Sequence, residues 1–126
     1  MNKIEQFIQL NINFLNDIQA YHWQTKSYSE HENLGEYYNK FNKLNDEFVE
    51  TYQGKIGRRI KFSAELRPGI MNYADVQIIK AEVKKQVDSI TELSKNKEVA
   101  GQMDLESILE DMLLATNQLL YHLSLS

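Results

Sequence analysis

The chain has 126 residues, 42% of them apolar, which is enough for one domain with one hydrophobic core. It contains no cysteine, which excludes disulfides, thiolate metal sites and cysteine nucleophiles. The formal net charge of −4 predicts weak affinity for nucleic acid, because that affinity comes mainly from basic side chains that neutralise phosphates. No apolar run approaches the roughly 18 residues of a membrane span, and no basic and apolar leader opens the chain. We therefore expect a cytoplasmic protein with no membrane partner.

Four segments of the chain repeat their apolar residues at helical spacing, with the glycines and the one proline between them. The first three cover about residues 3–25, 30–56 and 74–95, and the fourth runs from just after Asp104 to Leu123. Ser29 followed by Glu32 predicts a capping box at the start of the second helix. Asp104 is predicted to be the N-cap of the fourth. The sequence therefore predicts one all-α domain of four helices over residues 1–126.

The lengths of the links predict how these helices pack. About five residues join helices one and two, and about eight, around Gly101, join helices three and four, so each pair should form an antiparallel hairpin. The middle link, about residues 57–73, contains Arg67-Pro68-Gly69 and can stretch about 50 Å, more than the roughly 40 Å of the second helix. Two hairpins joined by one long crossover form a ferritin-like four-helix bundle, which we predict. A plain up-and-down bundle with a loose middle loop is the alternative.

Two histidines flank the first hairpin turn and are candidate metal ligands. His22 lies at the end of helix one and His31 in the first turn of helix two, so the short link should bring them together. Neutral imidazole suits iron, zinc and copper; the alternative is a packed histidine on each helix, hydrogen-bonded locally. The Glu-x-x-His motif of di-iron bundles is absent, which argues against a di-iron core within one subunit. The residues three positions before His22, His31 and His122 are Gln19, Tyr28 and Leu119.

Acidic residues on the second helix are the other candidate ligands. Asp46 and Glu50 are four residues apart and share one helix face. This face lies roughly 140–180° from the apolar stripe, at 100° per residue, so both carboxylates should point away from the subunit's own core. On a monomer they are ordinary solvated charges, whereas at an interface they become ligands offered to a partner. Glu36, nearer the histidines, is a further candidate.

One local basic cluster departs from the acidic balance of the chain. It consists of Lys55, Arg58, Arg59 and Lys61. The favoured interpretation is a solvated helix end whose positive charge suits the helix dipole. A nucleic-acid-binding module is the weaker interpretation, because few cations are available to contact phosphate. We expect DNA binding to be weak or absent.

The stretch from Tyr21 to Lys26, then His31, Asp46 and Glu50, resembles the signature of the Dps family, the mini-ferritins that protect DNA during starvation. In that pattern a His-Trp pair closes the first helix and a second histidine opens the next. An acid follows four residues later, and an Asp and a Glu follow at +15 and +19, the positions of Asp46 and Glu50 relative to His31. The resemblance implies a hollow dodecamer with ferroxidase sites shared across two-fold axes.

The block from Trp23 to Gly57 also resembles a small family of phage-encoded ferritin-like proteins, which would place the protein in host cytoplasm or in the virion. There are departures from the Dps pattern. Gly35 stands where the acid at +4 belongs, and Glu36 beside it is rotated by 100°. The two histidines are closer in sequence than usual, the crossover is too short for an extra helix, and no lysine-rich tail is present.

The resemblance leads to one hypothesis and one rival. In the first, the protein binds iron and oxidises Fe(II) with peroxide or oxygen, as a two-fold homodimer or a larger shell. His22 and His31 from one subunit and Asp46 and Glu50 from another would hold the metal, with Glu36 replacing the missing acid. In the rival, the protein is a metal-free phage structural or interaction protein that retains the ferritin-like bundle.

Overall fold

The computed structural model describes residues 1–66 and 69–125, so two residues of the predicted middle link, Arg67 and Pro68, lie outside the described residues. In the described part the chain forms four α-helices and one 3-10 turn, with no strand: α1 (Lys3–Gln24), α2 (Tyr28–Ile56), the turn Ala64–Leu66, α3 (Val76–Leu93) and α4 (Met103–Ser124). The predicted all-α class and the number of helices are confirmed. None of these helices is long and apolar enough to cross a membrane.

The ends of the helices differ from two predictions. α2 begins with Ser27 as its N-cap, whose side chain accepts a hydrogen bond from the N–H of Glu30, so the predicted capping box two residues later is wrong. Both serines have suitable cap chemistry, and the three-residue turn selects the earlier one. The N-cap of α4 is Gln102, without a side-chain bond. Asp104 instead lies in the first turn, where it pairs with Lys55 at 3.1 Å and suits the helix dipole.

The helices pack so that α2 contacts α1 and α4, while α3 contacts α4 and, less extensively, α1. α1 and α2 are antiparallel, because Asn2 at the start of α1 donates to the hydroxyl of Tyr52 near the end of α2 at 3.1 Å. The core between them is rich in aromatic rings in edge-to-face contact, such as Phe7 against Phe48 with ring centroids 5.7 Å apart. The buried apolar residues form one continuous cluster contributed by all four helices.

The link between α2 and α3 is bonded along the length of α1. Polar side chains of α1, spaced mostly four residues apart, hydrogen-bond the link backbone in sequence order. The α1 side chains are Glu5, Gln9, Asn13, Asp17 and Gln24, and their partners are Lys61, Ser63, Leu66, Met71 and Tyr73. The link therefore returns the chain to the end of the bundle at which α2 begins, and α3 starts there behind its N-cap, Asp75.

A buried polar network ties three of the helices together at mid-height. Gln86 of α3 donates to the Asn11 side-chain oxygen at 2.6 Å, and Asn11 of α1 donates to Asn45 of α2 at 2.9 Å. Every buried side-chain polar atom in the described part of the chain has a hydrogen-bond partner. Because a mismatched amide would be left unpaired in the core, this network favours a single register of α1, α2 and α3.

Candidate metal centre

The turn between the two histidines is held by a buried carboxylate. Only three residues separate α1 from α2. Glu30, in the first turn of α2, is 5% exposed, and its Oε1 accepts hydrogen bonds from the hydroxyls of Thr25 and Tyr73, each at 2.8 Å. These bonds join the turn to the end of the α2–α3 link. The helix ends that carry the two histidines are therefore held in place by hydrogen bonds to the turn and to the link.

The rings of His22 and His31 stack, with centroids 4.0 Å apart and planes 15° from parallel. Each ring also bonds the backbone of the other residue: His22 Nδ1 donates to the carbonyl oxygen of His31 at 2.6 Å, and His31 Nδ1 donates to that of His22 at 2.8 Å. A carbonyl oxygen only accepts, so both Nδ1 atoms carry the proton. In the neutral rings the lone pair is then on Nε2, the arrangement found in metal-binding histidines whose other nitrogen donates to a carbonyl.

The stack restricts how the pair can bind metal. A nitrogen lone pair lies in the plane of its ring, and metal–nitrogen bonds are about 2.0–2.1 Å long. Because the two ring planes are nearly parallel and a stacking distance apart, no single position lies in both planes at bonding distance from both Nε2 atoms. As it stands, the pair can give one nitrogen to each of two ions. Binding one ion with both rings requires a rotation that breaks a carbonyl bond.

The predicted acids are not brought to the histidines within one chain. Asp46 and Glu50 are exposed on α2, about 22 and 28 Å along the helix axis from His31 at 1.5 Å per residue. Glu36 lines a shallow groove between α2 and α4, beside His122 rather than the stacked pair. Over residues 1–66 and 69–125, no three histidine, aspartate or glutamate side chains form a group that could hold an ion. Within the described part of one chain, the stacked imidazoles are therefore not joined by a third side chain of these types.

Two large aromatic side chains lie exposed beside the stacked pair. Trp23 follows His22 at the end of α1 and is 68% exposed, and Tyr28 begins α2 and is 77% exposed. The Tyr28 ring lies 6.4 Å from that of His31. Exposed aromatic rings of this size are typical of the contact surfaces of proteins.

A second titratable group, absent from the sequence predictions, lies between α1 and α3. The Tyr21 hydroxyl donates to Glu82 Oε1 at 2.7 Å. Burial, followed by a hydrogen bond with Asp17, raises the pKa of Glu82 to about 7. Asp17 also accepts the backbone N–H of Met71 in the link at 2.9 Å. The two carboxyls come from positions 65 residues apart, and nothing in the local sequence of either one signals the contact.

The basic cluster is partly committed to ion pairs inside the chain. Lys55 pairs with Asp104, and Arg58 pairs with the buried Glu5 at 3.1 Å. Arg59 remains exposed at the surface. These pairs agree with the interpretation as a charged helix end, while the expectation of weak DNA binding stays a prediction.

Comparison with known proteins identifies a family. Residues 22–123 match the model of a family of unknown function (DUF5856), and the chain belongs to this family. The matched region begins at His22 and includes both histidines and all three candidate acids. No curated protein and no solved structure matches the chain.

Proposed function

We propose that this protein is a homo-oligomeric, ferritin-like protein of the Dps type that binds iron at a site shared between subunits. The observation that carries the proposal is the stacked pair of His22 and His31. Both Nδ1 protons are donated to backbone carbonyls, which leaves both Nε2 atoms for metal. Imidazole nitrogen together with carboxylate oxygen is a suitable ligand set for iron.

The course of the α2–α3 link supports the ferritin-like part of the proposal. An up-and-down bundle needs only a short turn between its second and third helices. Here nineteen residues separate Ile56 from Val76, and α1 side chains bond the link backbone from Lys61 to Tyr73. Two hairpins joined by such a crossover are the ferritin-like arrangement.

The positions of the acids support a site shared by two subunits. Asp46 and Glu50 are exposed on α2 and lie more than 20 Å from His31 along the helix. If two α2 helices cross antiparallel near residues 39–41, each His31 faces the Asp46 and Glu50 of the other subunit. The crossing point is the midpoint between His31 and each acid, and a two-fold interface is self-complementary in this way. Exposed Trp23 and Tyr28 would add apolar area to the contact.

In this proposal Fe(II) is the substrate and the chain supplies its ligands. When peroxide is the oxidant, two Fe(II) each lose one electron, the O–O bond breaks, and two protons complete two water molecules. His22 and His31 provide one nitrogen each, which suits a pair of ions better than a single shared ion because of the stack. The carboxylates of Asp46 and Glu50 would balance the positive charge of the bound ions.

A mixing experiment tests the shared site. His31→Ala and Asp46→Ala should each abolish Fe(II) oxidation while the helical circular dichroism is retained, because neither side chain lies in the core. When the two variants are unfolded together and refolded, random pairing makes half of the dimers mixed, with one intact site in each. About a quarter of wild-type activity should return. Glu47→Ala, next to Asp46 on the same helix, should stay active.

Two results would refute the proposal. If the wild type is active and the mixture stays inactive, both residues serve one subunit, and the shared geometry is wrong. A wild type that light scattering shows to be monomeric at tens of micromolar excludes both the shared site and the shell.

The rival proposal is a metal-free phage structural or interaction protein that retains the ferritin-like bundle. It is favoured by one specific feature, the glycine at position 35, which provides no carboxylate where the Dps pattern has one. A wild type that neither binds Fe(II) anaerobically nor oxidises it would favour this rival. The exposed Trp23 and Tyr28 would then serve the contact with a protein partner alone.

A further inference from the structure

The ring of His22 lies against a glycine of α2. A Cβ atom placed on Gly35 would be 2.7 Å from His22 Cε1 and 3.0 Å from Nδ1. Cβ atoms essentially never come as close as 2.7 Å to another heavy atom, so any other residue at position 35 would require the His22 ring to shift. Because His22 Nδ1 is already bonded to the His31 carbonyl and its ring is stacked on His31, a shift of the ring away from position 35 would disturb both contacts.

The backbone gives no separate reason for glycine at this position. Gly35 is in the interior of α2, and the only glycines of the described residues with positive φ are Gly57 and Gly101. Glycine inside a helix is destabilising relative to alanine because its backbone loses more freedom on folding. Gly54, in the same helix, has open space around the position of a Cβ. The feature that distinguishes Gly35 from Gly54 is the imidazole.

We propose that Gly35 is a positioning residue that admits the His22 ring to its stack on His31 and so determines where His22 Nε2 points. The same Cβ would be 3.5 Å from Nε2, so a side chain there would also crowd the nitrogen that the proposed function assigns to metal. The metal half of this inference rests on that proposed function, whereas the ring orientation does not. The departure at position 35 is then a consequence of the histidine stack rather than a simple loss of a ligand.

The test compares Gly35→Ala with its matched control Gly54→Ala in the full-length protein. Proton–nitrogen NMR of the imidazoles reports the His22 Nδ1–H, which should be protected from exchange in the wild type and in Gly54→Ala. In Gly35→Ala this resonance should shift or be lost. Urea unfolding should show Gly54→Ala at least as stable as the wild type and Gly35→Ala less stable. In a His22→Ala background, Gly35→Ala should become as well tolerated as Gly54→Ala.

The metal arm uses anaerobic Fe(II) titration. Gly35→Ala should bind Fe(II) about 10- to 100-fold more weakly, the usual effect of disturbing a group that orients a ligand, and Gly54→Ala should bind as the wild type does. If the wild type binds no Fe(II) while Gly35→Ala still disturbs the His22 proton, the proposed function fails and the positioning role stands. If Gly35→Ala leaves the His22 proton and the unfolding midpoint as they are in Gly54→Ala, the positioning role is wrong.

Discussion

Glu5 is a buried carboxylate that holds the start of the α2–α3 link on α1. It is 4% exposed, and its Oε2 accepts hydrogen bonds from Lys61 N–H at 2.9 Å and from the Arg58 guanidinium at 3.1 Å. Its Oε1 accepts the N–H of Asn2 at 3.1 Å and completes the capping box of α1. The Asn2 bond, then those from Lys61 and Arg58, lower the pKa of Glu5 to about 2, although burial opposes this.

Glu5→Gln tests the strength of this anchor. The amide has the shape of the carboxylate but replaces one acceptor oxygen with an NH₂ donor, which must face either Asn2 or the Lys61–Arg58 pair. One charge-assisted hydrogen bond is lost and the buried NH₂ group of the amide is left without an acceptor. The free energy of unfolding should therefore fall by about 2–3 kcal/mol. The midpoint of thermal unfolding should fall by roughly 8–12 °C. Glu92→Gln, at a side chain that is 81% exposed, should change stability by less than about 0.5 kcal/mol.

The pH dependence of the stability difference between the wild type and Glu5→Gln can refute the proposed role of Glu5. Because the folded pKa lies below the ordinary value of 4.5, the contribution of Glu5 is complete above about pH 4.5 and is lost as pH falls through 2. Urea unfolding of the wild type and Glu5→Gln should therefore show the widest gap at pH 7 and a shrinking gap from pH 4.5 to 2.5. A gap below about 0.5 kcal/mol at pH 7, or one that does not change with pH, would contradict the anchor.

Two other predictions concern the carboxyl pair and the assembly. The pKa of Glu82 is raised to about 7, so Glu82 keeps its proton in the folded chain at pH values above 4.5, where the unfolded chain loses it. The free energy of unfolding should therefore fall as the pH rises from 5 to 8. Glu82→Gln should remove about 1–2 kcal/mol of that fall in urea unfolding, with allowance for solvent screening. If the pH dependence is the same in the variant, the raised pKa of Glu82 is wrong. The chain contains no cysteine, so Asn39→Cys should form a disulfide-linked dimer on oxidation if two α2 helices cross at this residue. Lys84→Cys, at an exposed position on α3, is the control and should not form the dimer. Equal yields of dimer on non-reducing gels would contradict the crossing.

The parts of the structure that depend on local order could be predicted from the sequence. Periodic apolar residues predicted four helices close to their observed bounds, because an amphipathic helix must bury the stripe that its sequence creates. The first link, predicted at about five residues and observed at three, indicated that His22 and His31 meet, because a short link places the end of α1 beside the start of α2. Even here the starting residue of α2 was two positions off, because Ser27 and Ser29 both have suitable cap chemistry.

The rotation of each helix about its axis, and the side of the bundle that the link covers, could not be predicted in this way and depend on the packed fold. The sequence shows polar residues at four-residue intervals on α1, but not that they bond a backbone more than fifty residues away. In the sequence, Gly35 indicates only a missing acid, whereas in the structure the His22 ring packs against it. Asp17 and Glu82 likewise show no relation in the sequence, and they interact only because α1 packs against α3. These features depend on distances between distant side chains, which are set by the packing of the whole core and by no single segment.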